Sequence, residues 1–130
     1  CNNIIGDKMF TEVLLVGLGG FIGTVLRYEV GLIPIYESSV FPTNTLIINI
    51  IGAFLIGLIT SYFAKHVTFN ENLVLFLKVG ICGGFTTFST FAIETGTLIK
   101  DGNITLALLY IILSTVLSII AVFIPELLIK

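Results

Sequence analysis

The sequence predicts an all-α integral membrane protein with four transmembrane helices. Of its 130 residues, 56% are hydrophobic and only 11% are charged, whereas about 25% of residues in soluble domains are charged. The apolar residues form four segments, each about as long as the ~20 residues that a spanning helix needs. Strands of a membrane barrel are about half that length and alternate polar with apolar residues. These segments lack that alternation, so the helical class fits and the barrel class does not.

Each predicted span has an uncharged centre. Residues 45–64 and 104–125 contain no charged residue at all, and the first span is uncharged from residue 13 to residue 26. The third span carries Lys78 and Glu94 towards its ends, where long side chains can reach the interface. We therefore expect one membrane domain with spans at about residues 10–32, 43–65, 72–99 and 104–128.

Short polar joints connect the spans. Residues 34–42 have a proline at each end, residues 65–72 are polar, and residues 100–103 contain an Asp-Gly turn. The chain begins with Cys1; if Met9 is the native start, residues 1–8 are non-native and carry no function. A net charge of −2 provides no basic surface, so we expect no nucleic-acid partner.

Lysine and arginine are spread weakly between the two sides of the predicted bundle. Four spans place Lys8, Lys65, Lys78 and Lys130 on one side and Arg27 and Lys100 on the other. The two sides become equal if Lys8 is non-native and Lys78 lies within its span. Because an excess of these residues sets membrane orientation, the weak bias predicts that the chain can insert in both orientations.

Small residues recur at the four-residue spacing that lets membrane helices approach closely. Gly19 and Gly23 form such a pair in the first span, and Ala53 and Gly57 form one in the second. We interpret both pairs as helix packing sites.

Two spans carry polar residues that share a helix face. Thr45 and Asn49 lie four residues apart in the second span, and Tyr110, Ser114 and Ser118 follow the same spacing in the fourth. An unpaired polar group in hydrocarbon costs a few kcal/mol, so these side chains should face protein or water. They indicate either a polar track or structural bonds: an interhelical bond for Asn49, and for the serines a bond to the carbonyl four residues earlier.

The stretch GGFTTFSTF, residues 83–91, predicts a break near the middle of the third span. Two glycines followed by four hydroxyl residues favour an interrupted helix, whose freed backbone groups must find partners away from lipid. Hydroxyl groups can bind some of them, and free carbonyls suit a small hard cation. Beyond the break, Phe88 and Phe91 share a face. Their positive ring edges can contact an anion, although such a pair is also typical of simple packing.

Three stretches carry a resemblance to one family. GGFIGTVLRY (19–28), TNTLIINIIGAFLIG (43–57) and GGFTTFSTF (83–91) resemble the Fluc (CrcB) family of microbial fluoride channels, in order and across all four spans. The resemblance implies an antiparallel, dual-topology homodimer in the cell membrane, with two pores lined by both subunits. It also implies passive, fluoride-selective export that gives fluoride resistance, with no enzymatic activity.

The resemblance also implies roles for individual residues. Those matching the fluoride pathway are Asn49, Thr45, Phe88, Phe91, Tyr110, Ser114 and Ser118. Arg27 matches a basic residue at the aqueous vestibule. Gly83 and Thr86 match positions whose backbone carbonyls, from both subunits, hold a structural sodium ion at the dimer interface. Glu94 is open to two interpretations, a gating residue or a structural carboxylate.

Two other classes of membrane protein have a similar size. A proton-coupled small multidrug exporter also has four spans, but it depends on a carboxylate deep in the first span, whereas Glu12 lies at the edge of that span. A non-transporting assembly protein needs only the packing glycines and leaves the polar residues unexplained.

Overall fold

The computed structural model describes residues 2–35, 39–65 and 70–129, with side chains from residue 5 onwards. The helices are α1 (Asn2–Gly31), α2 (Thr43–Ala64), α3 (Glu71–Val74), a π-helical segment (Leu75–Cys82), α4 (Gly83–Phe85), α5 (Phe88–Lys100) and α6 (Ile104–Leu128). Within the described ranges, four helical stretches are long and apolar enough to cross a membrane: Ile5–Gly31, Thr43–Ala64, Glu71–Lys100 and Ile104–Leu128. The predicted all-α fold with four spans is confirmed.

Helix α1 begins well before the predicted first span, because residues 2–8 continue it. The Lys8 Nζ atom lies 3.7 Å from Oε1 of Glu12, one turn further along α1. It also lies 3.5 Å from Oε2 of Glu71, at the start of α3. These pairs are exposed, so each contributes at most about 1 kcal/mol. They nevertheless place the start of α1 beside the start of the third span.

The third span changes its backbone geometry twice. The side chain of Asn70 accepts hydrogen bonds from the N–H groups of Asn72 and Leu73, which caps α3. The helix then widens into the π-helical segment and ends with α4. Thr86 (φ −77°, ψ 157°) and Thr87 (φ −149°, ψ 115°) have extended backbones before α5 begins at Phe88. The backbone near the middle of this span is therefore extended at two consecutive residues, between the end of α4 and the start of α5.

Glycines bring the helix backbones into direct contact. A Cβ atom added at Gly19 would lie 2.6 Å from the carbonyl oxygen of Phe76, and one added at Gly23 would meet the carbonyl oxygen of Ile81. Gly57 of α2 similarly meets the backbone of Val122 in α6. The packing interpretation of Gly19, Gly23 and Gly57 agrees with these contacts, which join α1 to the π-helical segment and α2 to α6.

We expect Gly23→Ala to disrupt the packing of α1. The added methyl group would overlap the Ile81 carbonyl oxygen and lie 2.8 Å from the Phe85 nitrogen, and overpacking of this kind costs about 1–3 kcal/mol or more. Thermal unfolding of the purified protein in detergent measures the loss. Gly17→Ala is the matched control, since no described atom lies within 4 Å of a Cβ atom there. Equal melting temperatures for the two variants would contradict the packing role of Gly23.

A small buried cluster lies where α5, α6 and the start of α2 meet. Its members Leu98, Ala107 and Tyr110 are almost completely buried, and four partly buried side chains pack against them: Phe41, Leu46, Phe91 and Leu106. This cluster holds Tyr110 against the residues that follow the extended segment.

Candidate functional site

Asn49 of α2 binds both backbone polar groups of Thr87. Its Nδ2 donates to the Thr87 carbonyl oxygen at 3.0 Å, and the Thr87 N–H donates to its Oδ1 at 2.8 Å. A primary amide matches an extended peptide in this way because it presents one donor and one acceptor side by side. At membrane depth, both groups would otherwise remain unpaired. Asn49 thus stabilises the extended conformation at Thr87.

The hydroxyl groups of the interrupted segment bond to its own backbone. Thr86 donates from both its N–H and its Oγ1 to the Cys82 carbonyl, each at 3.0 Å. Thr87 Oγ1 accepts from the Thr90 N–H at 3.2 Å, which caps α5, and donates to Thr90 Oγ1 at 3.0 Å. The local sequence therefore ends one helix and starts the next within two residues.

In a continuous helix, the carbonyl groups of Gly83 and Thr86 would each accept a hydrogen bond from a backbone N–H four residues later. There, the Thr87 N–H would bond to Gly83 and the Thr90 N–H to Thr86. Here, those donors bond to Asn49 Oδ1 and Thr87 Oγ1 instead. The carbonyls of Gly83 and Thr86 are thereby released from helical bonding, and Gly83 lies on the exposed surface.

Glu94 binds the hydroxyl groups of two predicted pathway residues. Thr45 Oγ1 donates to its Oε1 at 2.8 Å, and the Tyr110 hydroxyl donates to its Oε2 at 2.7 Å. Thr45 is buried, and Tyr110 is 0% exposed. In this arrangement both hydroxyl protons point at the carboxylate. The Glu94 carboxylate of α5 therefore links a residue of α2 to a residue of α6. The sequence alone left the role of Glu94 open.

An open groove of about 440 Å³ lies between α2, α5 and α6. Among the residues lining it are Asn49, Thr86, Phe88, Phe91, Ser114 and Ser118. Ser114 Oγ is buried and has no hydrogen-bond partner among the residues that the structure describes. The back-bonded alternative is therefore wrong for Ser114, although its neighbour Thr115 does bond to the Ile111 carbonyl at 2.8 Å. A buried free hydroxyl facing a groove is available to a ligand.

Phe88 and Phe91 lie side by side at this groove. Their ring centroids are 5.5 Å apart with a 44° tilt, so the predicted shared face brings the rings into contact. Phe91 is half-buried and its ring lies 5.1 Å from that of Tyr110. Phe88 is 80% exposed. An exposed ring next to polar groups shows that this side of the groove is open in the single chain.

Arg27 lies apart from the groove, beside a second cavity of about 500 Å³. Thr24, Asn44, Thr45, Thr90 and Glu94 also line this cavity. The structure therefore brings Arg27 to the Glu94 end of the site and leaves Gly83 on the outer surface. The sequence missed Thr24 and Asn44, because their spacing alone does not distinguish them from other span residues, and it placed Thr90 only among the hydroxyl groups of the predicted break.

Four spans and an open groove lined by hydroxyl, amide and phenyl groups define a multi-pass membrane protein. The family model described as CrcB-like protein, Camphor Resistance (CrcB), matches residues 14–125. The chain belongs to the CrcB family, which confirms the resemblance.

Relatives cover almost the whole chain. A protein of Ruminiclostridium cellulolyticum is 43% identical over 124 residues, which is 95% of each chain. A protein of Clostridium perfringens (strain ATCC 13124) is 45% identical over 114 residues, covering 87% of this chain and 89% of its own. Both relatives are named fluoride-specific ion channel FluC.

Proposed function

We propose that this chain forms a fluoride-selective channel that lets cytoplasmic fluoride leave the cell passively and so gives fluoride resistance. The relatives named above are fluoride-specific ion channels. The observation that carries the proposal is the groove in which the free Ser114 hydroxyl lies with Phe88 and Phe91. Small donors and ring edges without a full positive charge can stabilise an anion and still release it.

The groove must replace the water that a fluoride ion loses. Moving a small ion out of water costs on the order of 20 kcal/mol in the idealised limit. Ser114 Oγ supplies a free donor, and Asn49 keeps one of its two amide hydrogens after binding the Thr87 carbonyl. Ser118 and the two phenyl rings line the same groove. We assign Thr45 and Tyr110, both bound to Glu94, to the far end of this path, beyond Ser114.

The open side of the groove supports an antiparallel homodimer. Phe88 and Gly83 are exposed in the single chain, and a second copy inserted in the opposite orientation would cover this face. The weak difference in lysine and arginine between the two sides permits such dual insertion. Each of the two pores would then be lined by residues of both subunits, with Arg27 at an aqueous vestibule.

The carbonyls of Gly83 and Thr86 fit a structural sodium ion at the dimer interface. Both have lost their helical donors, and carbonyl oxygens are ligands that hard cations prefer. Two copies of the chain would supply four such oxygens. When bound, sodium would satisfy these carbonyls and add a positive potential near the anion path.

Ion efflux from liposomes containing the purified protein tests the channel proposal. We expect fluoride release, followed with an electrode, and negligible chloride release under the same gradient. Drug–proton exchange would instead favour the small multidrug exporter, and either that result or the absence of any flux would overturn the channel proposal. Glu12, which pairs with Lys8 near the start of α1, does not favour the exporter.

We expect removal of sodium to lower fluoride flux or dissociate the dimer without any change in sequence. The physical reason is that the Gly83 and Thr86 carbonyls would then face each other without a cation. Purification in a large organic cation at equal ionic strength, followed by size-exclusion chromatography and efflux, measures the effect. Sodium returned to the same sample is the control and should restore both properties. Indifference to sodium would remove the carbonyl site from the proposal.

A further inference from the structure

Four aromatic rings form a continuous row from the groove to the connection between α1 and α2. Successive centroid distances are 5.5 Å from Phe88 to Phe91, 5.1 Å from Phe91 to Tyr110 and 5.5 Å from Tyr110 to Phe41. The last pair is edge-to-face, with an angle of 79° between the rings, which is a favoured arrangement for aromatic pairs. Phe41 is thus the end of a row whose other members lie at the site.

The backbone of Phe41 is fixed although it lies outside the helices. Its N–H donates to Ser39 Oγ at 3.1 Å, and its carbonyl accepts from the Thr43 N–H at 2.8 Å. The same carbonyl also accepts from Ser39 Oγ at 3.1 Å. Pro42 follows directly and restricts the backbone of the residue before it. These bonds and Pro42 together define the backbone conformation from which the Phe41 ring extends.

Phe41 lies between an open cavity and Tyr110. The cavity, of about 380 Å³, is lined by Phe41 and Glu94 among others, but not by Tyr110. Tyr110 is 0% exposed, held between the rings of Phe41 and Phe91, and its hydroxyl binds Glu94 at 2.7 Å. Removal of the Phe41 ring would open Tyr110 to the cavity and leave one side of its ring without a neighbour.

We infer that Phe41 is a positioning residue for ion conduction. It holds Tyr110 in place, and through Tyr110 it fixes both the Phe91 ring in the groove and the hydroxyl on Glu94. This inference rests on the proposed channel function, since it assigns Phe41 a role in the same path. Phe41 itself is not among the residues that line the groove.

Two substitutions at Phe41 distinguish the effect of the aromatic ring from the effect of side-chain volume. Phe41→Leu keeps an apolar side chain but removes the edge-to-face contact, and we expect it to lower fluoride efflux between about threefold and tenfold. Phe41→Tyr keeps the ring, and the open cavity that Phe41 lines leaves room for a hydroxyl group, so we expect efflux within about twofold of the original chain. If the leucine variant does not fold, Phe41→Met carries the same expectation.

A flux-independent measurement tests the contact itself. With 3-fluorotyrosine placed at position 110 alone, the ¹⁹F NMR spectrum of the full chain should show one sharp line, which Phe41→Leu broadens or splits and Phe41→Tyr does not. Unchanged flux in Phe41→Leu, or lowered flux with an unchanged line, would overturn the inference. If the original chain conducts no fluoride, the channel proposal fails instead, and the NMR comparison still reports on the contact.

Discussion

We expect the double substitution Phe88→Ile and Phe91→Ile to lower fluoride efflux at least about a hundredfold while the protein stays folded. The two rings contact each other at the groove, and isoleucine retains apolar bulk but has no positive ring edge. A loss of about 3 kcal/mol of ion stabilisation is enough for a hundredfold change in rate. Fluoride-electrode recordings from liposomes measure it, and size-exclusion chromatography reports whether the protein remains assembled.

The matched control exchanges two other phenylalanines, which do not line the groove. Phe10 and Phe21 of α1 are 64% and 70% exposed, so the same isoleucine change there should leave efflux within about twofold. Full flux in the groove variant would show that its rings only pack. Equal losses in both variants would mean that isoleucine harms the protein in general.

The sequence predicts the spans and their packing well because both depend on local pattern. An uncharged run such as residues 104–125 requires a helix in lipid, whatever its neighbours are. Gly19 and Gly23 likewise indicate a close contact through their spacing alone, and they do meet the backbones of Phe76 and Ile81. The partner surface itself could not be predicted, since no local signal marks those two residues.

The hydrogen bonds of the site depend on contacts between distant parts of the chain. Spacing places Thr45 on one helix and Tyr110 on another, but it does not reveal that both bind Glu94. That meeting arises because α5 packs beside both α2 and α6. The sequence therefore predicts the two hydroxyl groups as site residues, but it does not decide the role of the Glu94 carboxylate between them. The π-helical geometry of Leu75–Cys82 also has no signal that we recognise in its residues.

The bond pair between Asn49 and Thr87 carries the second large prediction. We expect Asn49→Leu to destabilise the protein by about 2–6 kcal/mol, because it leaves the N–H and the carbonyl of Thr87 unpaired at about 1–3 kcal/mol each. The extended segment should then rearrange, and fluoride efflux should be lost together with stability. Thermal unfolding in detergent and liposome efflux, measured on the same preparations, report the two effects.

Asn49→Asp removes the donor and adds a charge. A carboxylate still accepts from the Thr87 N–H, but it cannot donate to the Thr87 carbonyl and its charge loses hydration in a partly buried site, so stability should fall at least as far as in Asn49→Leu. A negative charge at the groove should also repel fluoride and abolish efflux. Asn103→Leu is the control, since Asn103 makes no side-chain capping bond to α6 and should melt near the original temperature. If Asn49→Leu melts together with Asn103→Leu, the two bonds do not hold the extended segment, and the release of the Gly83 carbonyl needs another cause.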